Sequence, residues 1–327
     1  MRKLIGALVF VMLNMGLLFA QDAHISSNDL FANYLSPAHQ GIAGERFGAS
    51  VLYRNQWKSV GIPFNLYGAN VYGQIHNGNG VSVNLSGVLT NQTVLALNKM
   101  QASLSLSSSV RLNTKNFLTA GLSGGYVSQS VNSDVLQWSS QYTGAAFDPL
   151  LPSQEQVFID NKGAFDIGAG LGYKYNDGII RNHEGKQLIA AVGLWHINEP
   201  KQYFISDNNP LHKRLNAYIL GFLPVNSKLA LNSGLFLMQQ HGFNEFFGFA
   251  GLRIRLKDIF NNDSEANFTA ISASLGYRYK DALIAGLNFE REKIILGLIY
   301  DRNISAFKAA TNGFGALEIC MKYSINQ

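Results

Sequence analysis

The chain is poor in charge: Asp, Glu, Lys and Arg make up only 14% of its 327 residues, against about 25% in an ordinary globular protein. It has a single cysteine, Cys320, so no disulfide framework can be built. Beyond Phe19 no apolar run approaches the length of a helical membrane span, which excludes a helical membrane protein. The formal net charge of +5 is modest and basic residues do not cluster, so nucleic acid is not an expected partner.

Catalytic signatures are missing as well. The histidines at 24, 39, 76, 183, 196, 212 and 241 have neither HExxH spacing nor a cysteine partner, and read as structural or surface residues. There is no GxSxG elbow and no phosphate-binding P-loop. Gly168-Ala169-Gly170-Leu171-Gly172 superficially matches a dinucleotide fingerprint. Tyr173-Lys174-Tyr175 continues it as strand rather than opening a helix, so small residues on a barrel strand are the better account. Asp258, Asp263 and Glu265 lack calcium-loop spacing and read as a solvated hairpin tip. Asp301 and Arg302 either pair inside a polar lumen or occupy a surface turn. No catalytic, cofactor-binding or metal-ligating residue emerges, and a non-enzymatic role is expected.

What the chain does contain is Ser, Asn, Gln and 32 Gly, a supply of uncharged polarity suited to strands and turns. At the start, Arg2-Lys3 precede an apolar run from Leu4 to Phe19, and Ala20 is followed by polar Gln21-Asp22. This is the pattern of a secretory signal peptide, residues 1–20, cleaved after Ala20. Alternation is the strongest structural signal. In Val81-Ser82-Val83-Asn84-Leu85-Ser86 and Ala102-Ser103-Leu104-Ser105-Leu106-Ser107 apolar and polar residues take turns. In the last segment Leu317, Ile319, Met321, Tyr323 and Ile325 oppose Glu318, Cys320, Lys322 and Ser324. Segments of this character cover 47–54, 64–76, 79–90, 94–111, 116–128, 164–176, 186–196, 213–223, 227–237, 243–257, 267–279, 282–289, 293–300 and 315–325.

Many of these runs reach about 10 residues, the length of a tilted strand crossing a bilayer. Backbone amides in hydrocarbon must all be paired, so such strands span only as a closed sheet. The expectation is an all-β, transmembrane antiparallel β-barrel of about 14 strands, within about 12 to 16, in the bacterial outer membrane with lipid around it. The barrel is expected over 47–327, with 21–46 as an N-terminal periplasmic or lumen segment. Asn77-Gly78-Asn79-Gly80, Asn113-Thr114-Lys115-Asn116, Asn176-Asp177-Gly178 and Phe289-Glu290-Arg291-Glu292-Lys293 supply turns. Tyr53, Trp57, Tyr173, Tyr175, Trp195, Tyr277, Tyr279, Tyr300 and Tyr323 fall near strand ends, as an interfacial girdle or as ordinary β packing. Val131 to Lys162 and Glu199 to His212 read as long loops, where such proteins meet partners.

Several stretches then bring a family into view. Phe31-Ala32-Asn33-Tyr34-Leu35-Ser36-Pro37-Ala38-His39-Gln40-Gly41, followed by Leu52-Tyr53-Arg54-Asn55-Gln56-Trp57, resembles the PorP/SprF family of type IX secretion membrane proteins. Gly193 to Pro200, Leu211-His212-Lys213-Arg214, Tyr300-Asp301 and Ala310 to Glu318 resemble it too, in the same order along the chain. The resemblance implies an outer-membrane protein of Bacteroidota, needing no cofactor. Its partners would be type IX secretion components or a secreted surface adhesin that it exports and holds, and it would support gliding motility in some bacteria. Tyr53, Arg54, Asn55, Gln56 and Trp57 are the candidate partner contacts. The alternative for this element is that Arg54 and Trp57 lock the first strand into the barrel through a buried polar contact and an interfacial ring. The rival function is an uptake channel of porin type, with the lumen as conduit.

Overall fold

In a computed structural model, residues 22–132, 136–154, 163–180, 183, 185–201, 210–256 and 269–325 are described. The expected signal peptide and the tip around Asp258, Asp263 and Glu265 lie outside these residues. The chain closes into a barrel of fourteen antiparallel strands in sequential order, with β1 paired to β14. They are β1 (Phe47–Gln56), β2 (Phe64–Gly78), β3 (Val81–Val94), β4 (Leu97–Arg111), β5 (Asn116–Val131), β6 (Gly163–Asn176) and β7 (Gln187–Trp195). The second half is β8 (Arg214–Pro224), β9 (Leu229–Gln240), β10 (Phe243–Leu256), β11 (Thr269–Arg278), β12 (Ala282–Arg291), β13 (Ile294–Asn303) and β14 (Phe314–Ile325). Each of the fourteen alternating segments seen in the sequence corresponds to one strand. The largest difference is that β3 runs four residues further, to Val94, and β5, β9 and β13 each run three further, because the ladder continues past the point where alternation fades. No helix among the described residues is long and apolar enough to cross a membrane.

Alternation translates directly into two faces. On β4, Leu104 and Leu106 are exposed while Ser105, Ser107 and Ser109 are buried, because successive side chains of a strand point to opposite sides. The polar set is inside and the leucines are outside, the reverse of a water-soluble protein and the order required in hydrocarbon. Tight turns keep the hairpins short. Asn79-Gly80 and His241-Gly242 both hold positive φ at successive positions, the mirror-image turn that matches strand twist and favours Asn and Gly.

The interior is filled by the chain's own beginning. Residues 22–43 are buried almost throughout and include a 3-10 turn (Ala32–Tyr34) and a short helix α1 (His39–Ala43). Asp22 meets Gln240 and Arg214, where β9 ends and β8 starts; Gly44 lies beside Lys174, where β6 ends. The segment therefore enters at the end of the barrel that carries the long 132–162 and 196–213 connections, and runs through to the end where β1 begins. Below, these are called the loop end and the terminus end.

A cation placed on the outer face tests which surface meets lipid. Leu122 sits midway along β5 and is 68% exposed. Leu122→Arg is expected to destabilise the barrel in vesicles by about 2–4 kcal/mol, measured by denaturant titration. A neutral outcome would mean that this face is not in hydrocarbon.

Candidate functional site

The candidate site is the set of wall residues that grip the inner segment. Near the loop end Ser26 is its hub. The Ser26 and Ser27 backbone N–H groups donate to the two oxygens of Glu318 at 2.7 and 2.8 Å. The Ser26 hydroxyl lies 2.9 Å from both oxygens of Asp301, and accepts from Arg54 at 3.2 Å and Arg278 at 2.5 Å. Arg54 pairs with Glu318, its cross-strand partner at the β1–β14 seam, and with Asp301 at 3.1 Å. Arg278 pairs with the same carboxylate at 3.1 Å. Asp301 thus lies in the lumen as one of the two sequence alternatives held. Its partners are Arg54 and Arg278 rather than Arg302, which the alternation turns outward.

A second knot holds the first described residue. Asp22 accepts from Lys99 at 2.6 Å, from Arg214 at 3.0 Å and from His196 Nε2 at 2.6 Å, and its N–H donates to Gln240 at 2.8 Å. His196 Nδ1 meets Asp166 at 3.0 Å, so the imidazole bridges two carboxylates. Burial pushes the Asp22 carboxyl upward, but Lys99, His196 and Arg214 together hold it well below the usual carboxylate range. Burial likewise opposes charge on His196, and the two carboxylates outweigh it and raise its pKa.

Between these knots and the terminus end the fit is made by absence of side chains. A Cβ on Gly193 would lie 2.2 Å from the Leu35 carbonyl oxygen, and one on Gly121 2.5 Å from that of Pro37. On Gly170 it would come within 2.4 Å of Ser36 Oγ, and on Gly172 within 1.9 Å of Ile42. Inward glycines on β5, β6 and β7 therefore form a track for the Leu35–Ile42 stretch, and this is the role of Gly170 and Gly172 in the Gly168–Gly172 pattern, while Gly168 makes room for the Trp195 ring. Trp195 Nε1 donates to the Leu35 carbonyl at 3.0 Å, and the Arg214 guanidinium lies 4.4 Å from the Tyr34 ring centroid. On the adjoining strands β8–β10, Tyr218, Phe236, Phe247 and Phe249 stack in series.

The five residues singled out on β1 do not form one surface. Arg54 and Gln56 face the lumen, while Tyr53 and Asn55 face outward, both bonded to Asn65. Trp57, at positive φ, packs on Phe307 at 5.0 Å and Phe64 at 6.3 Å. The stretches that carried the family resemblance converge elsewhere. Phe31–Gly41 is the inner segment itself, and Arg54, Trp195, His196, Arg214, Asp301 and Glu318 are its grips. Sequence reasoning had not assigned Asp22, His196, Arg214 or Glu318. For Arg214 and His196 the signal was a lone charge or imidazole at the end of an otherwise uncharged strand or just beyond it; Glu318 shares the polar face of β14 with Lys322, and Asp22 lies on no strand. Among the described residues no group of three or more side chains could hold a metal ion.

Two outcomes follow from the knots. Arg54→Ala leaves Glu318 and Asp301 short of a partner and is expected to destabilise the protein by about 3–5 kcal/mol. Asn55→Ala, on the outer face, is expected to stay within about 0.5 kcal/mol, both read by denaturant titration in detergent. For His196 the folded pKa lies above the unfolded value of 6.5. Its contribution is therefore complete below 6.5 and is lost as pH rises through the raised value. The stability difference between the wild type and His196→Gln should shrink on the alkaline side; a difference that grows there would overturn the bridged imidazolium.

The barrel resembles solved outer-membrane structures. It matches the Ralstonia pickettii toluene transporter TbuX at 10% identity with a TM-score of 0.52, over 91% of this chain and 93% of that one. It also matches a TodX mutant described as a monoaromatic hydrocarbon channel, at 10% identity and a TM-score of 0.50, over 90% and 94%. At such identity the likeness is one of fold. A search of curated proteins gives no match. The family described as type IX secretion system membrane protein PorP/SprF matches residues 18–323. With a closed fourteen-strand barrel and a family match across nearly its whole length, the chain belongs to the PorP/SprF family of type IX secretion membrane proteins and is a protein of the bacterial outer membrane.

Proposed function

We propose that this protein is a non-enzymatic platform of the type IX system, which anchors or assists the export of a secreted surface adhesin and supports gliding where its host glides. The observation that carries this reading is the filled lumen. Residues 22–45 run through the barrel from one end to the other, tied by buried ion pairs and seated against bare glycine backbone. A barrel plugged by its own chain is a rigid body at fixed membrane depth, suited to holding a partner on its loops or outer wall. Tyr53, Asn55 and Trp57 are the part of the β1 motif placed to meet a partner from outside, while Arg54 and Gln56 serve the plug. The uptake-channel reading draws on the fold shared with TbuX and TodX, and requires the plug to leave open a path.

Planar-bilayer recordings separate the two. The platform reading expects no steady ionic current from the wild type and current from a variant lacking 22–46. Steady current from the wild type would favour the channel. Co-purification from detergent-solubilised outer membrane is expected to retain type IX components or a secreted adhesin. Recovery of the barrel alone, under conditions that keep other complexes intact, would count against the platform.

A further inference from the structure

Three connections at the loop end pack into one ledge between β11 and β2. The β13–β14 connection, with its short helix α2 (Lys308–Thr311), lies against the β11–β12 turn: the N–H groups of Ile304 and Ser305 donate to the Asp281 carbonyl at 2.8 and 3.1 Å. It also touches the β1–β2 connection, where Ser59 Oγ donates to the Thr311 carbonyl at 2.8 Å and Trp57 packs on Phe307. All residues of these connections are described.

This ledge is cationic. Lys58, Lys280, Arg302 and Lys308 are exposed, and among the described residues none of them has an ion-pair partner. The one carboxylate among them, Asp281, is engaged by Arg278 from inside the barrel at 3.1 Å. Below the cations the outer wall is aromatic and aliphatic. Arg302 is paired in register with Phe314 and Leu283, which are 58% and 51% exposed, and Phe314 stands edge-on to Tyr300. Lys280 Nζ lies 5.0 Å from the Tyr279 ring centroid. Positive groups at the rim above a wall that accepts acyl chains form the complement of an anionic lipid with its headgroup level with the loops.

Orientation selects the leaflet. Outer-membrane barrels keep short turns on the periplasmic side and long loops outside, and the two longest connections, 132–162 and 196–213, are at this end. The ledge therefore meets the outer leaflet, which in such membranes is built of phosphorylated glycolipid. Guanidinium and ammonium groups bind phosphate oxygens through charge-assisted hydrogen bonds, and clusters of them read as headgroup sites. We propose that Lys58, Lys280, Arg302 and Lys308 form a binding ledge for the phosphorylated headgroup of an outer-leaflet glycolipid, whose acyl chains lie along β12–β14. The site stands on the barrel's place in the membrane and not on its role in secretion.

The test uses the full-length mature protein in detergent, with lipid A as probe and native mass spectrometry or a fluorescent-lipid titration as readout. Binding of phosphorylated lipid A is expected to fall at least tenfold in a variant carrying Lys58→Gln, Lys280→Gln, Arg302→Gln and Lys308→Gln. It should also fall for the wild type when the probe is dephosphorylated. A control variant with Arg111→Gln, Lys115→Gln and Lys228→Gln, at the terminus end, should bind as the wild type does. Heat-modified gel mobility reports that each barrel is folded. Equal binding by the ledge variant, or equal binding of the dephosphorylated probe, would overturn the assignment.

Discussion

Charge buried inside a membrane barrel sets the terms for everything else in this molecule. An ion taken out of water must be met by opposite charge and by hydrogen bonds to its remaining lone pairs or protons. The wall supplies Arg54, Arg278, Asp301 and Glu318 around one point. It does not complete them: the hydroxyl of Ser26 and the N–H groups of Ser26 and Ser27 fill the gaps. At the second point the balance is reversed, since the carboxylate comes from the segment and the cations from the wall. Segment and wall are each unsatisfied alone. That mutual dependence makes the inner segment a structural part of the barrel and not a loose tail within it.

The wall is specialised around its circumference to suit. Bare glycine backbone on β5–β7 admits the Leu35–Ile42 stretch at close range, while serine, asparagine and threonine on β2–β5 surround α1. Rings on β8–β10 meet the apolar side of the segment, and Phe31, Tyr34 and Ile25 join Phe236 and Phe247 in one buried cluster. A lumen so divided is shaped to one polypeptide. That is the physical basis of the proposed platform role: a lumen fitted to its own chain is committed to rigidity.

The sequence disclosed the barrel almost completely, because a period of two is written residue by residue wherever one face meets lipid. Serine opposite leucine along β4 is sufficient evidence by itself. Lumen contacts were far less legible. Arg54 and Glu318 look like ordinary polar-face residues until strand closure sets them opposite one another, and Asp22 gives no hint of partners drawn from β4, β8 and the end of β7. Long-range pairing of this kind is fixed by topology and register, neither of which leaves a local mark. The glycines of β6 were visible, but their purpose appears only once the backbone they accommodate is seen beside them.

The separation along the chain between the partners of the first knot has its own consequence. Ser26 and Glu318 are 292 residues apart, and contacts so distant form late, after the intervening loops have been closed. The opening residues must therefore wait unpartnered until the final strand arrives, and the clasp between Arg54 and Glu318 is made at the very seam where the cylinder shuts. A slip of one residue at that seam would turn Arg54 toward hydrocarbon, so the last strand to arrive is also the one that checks the alignment of all the others.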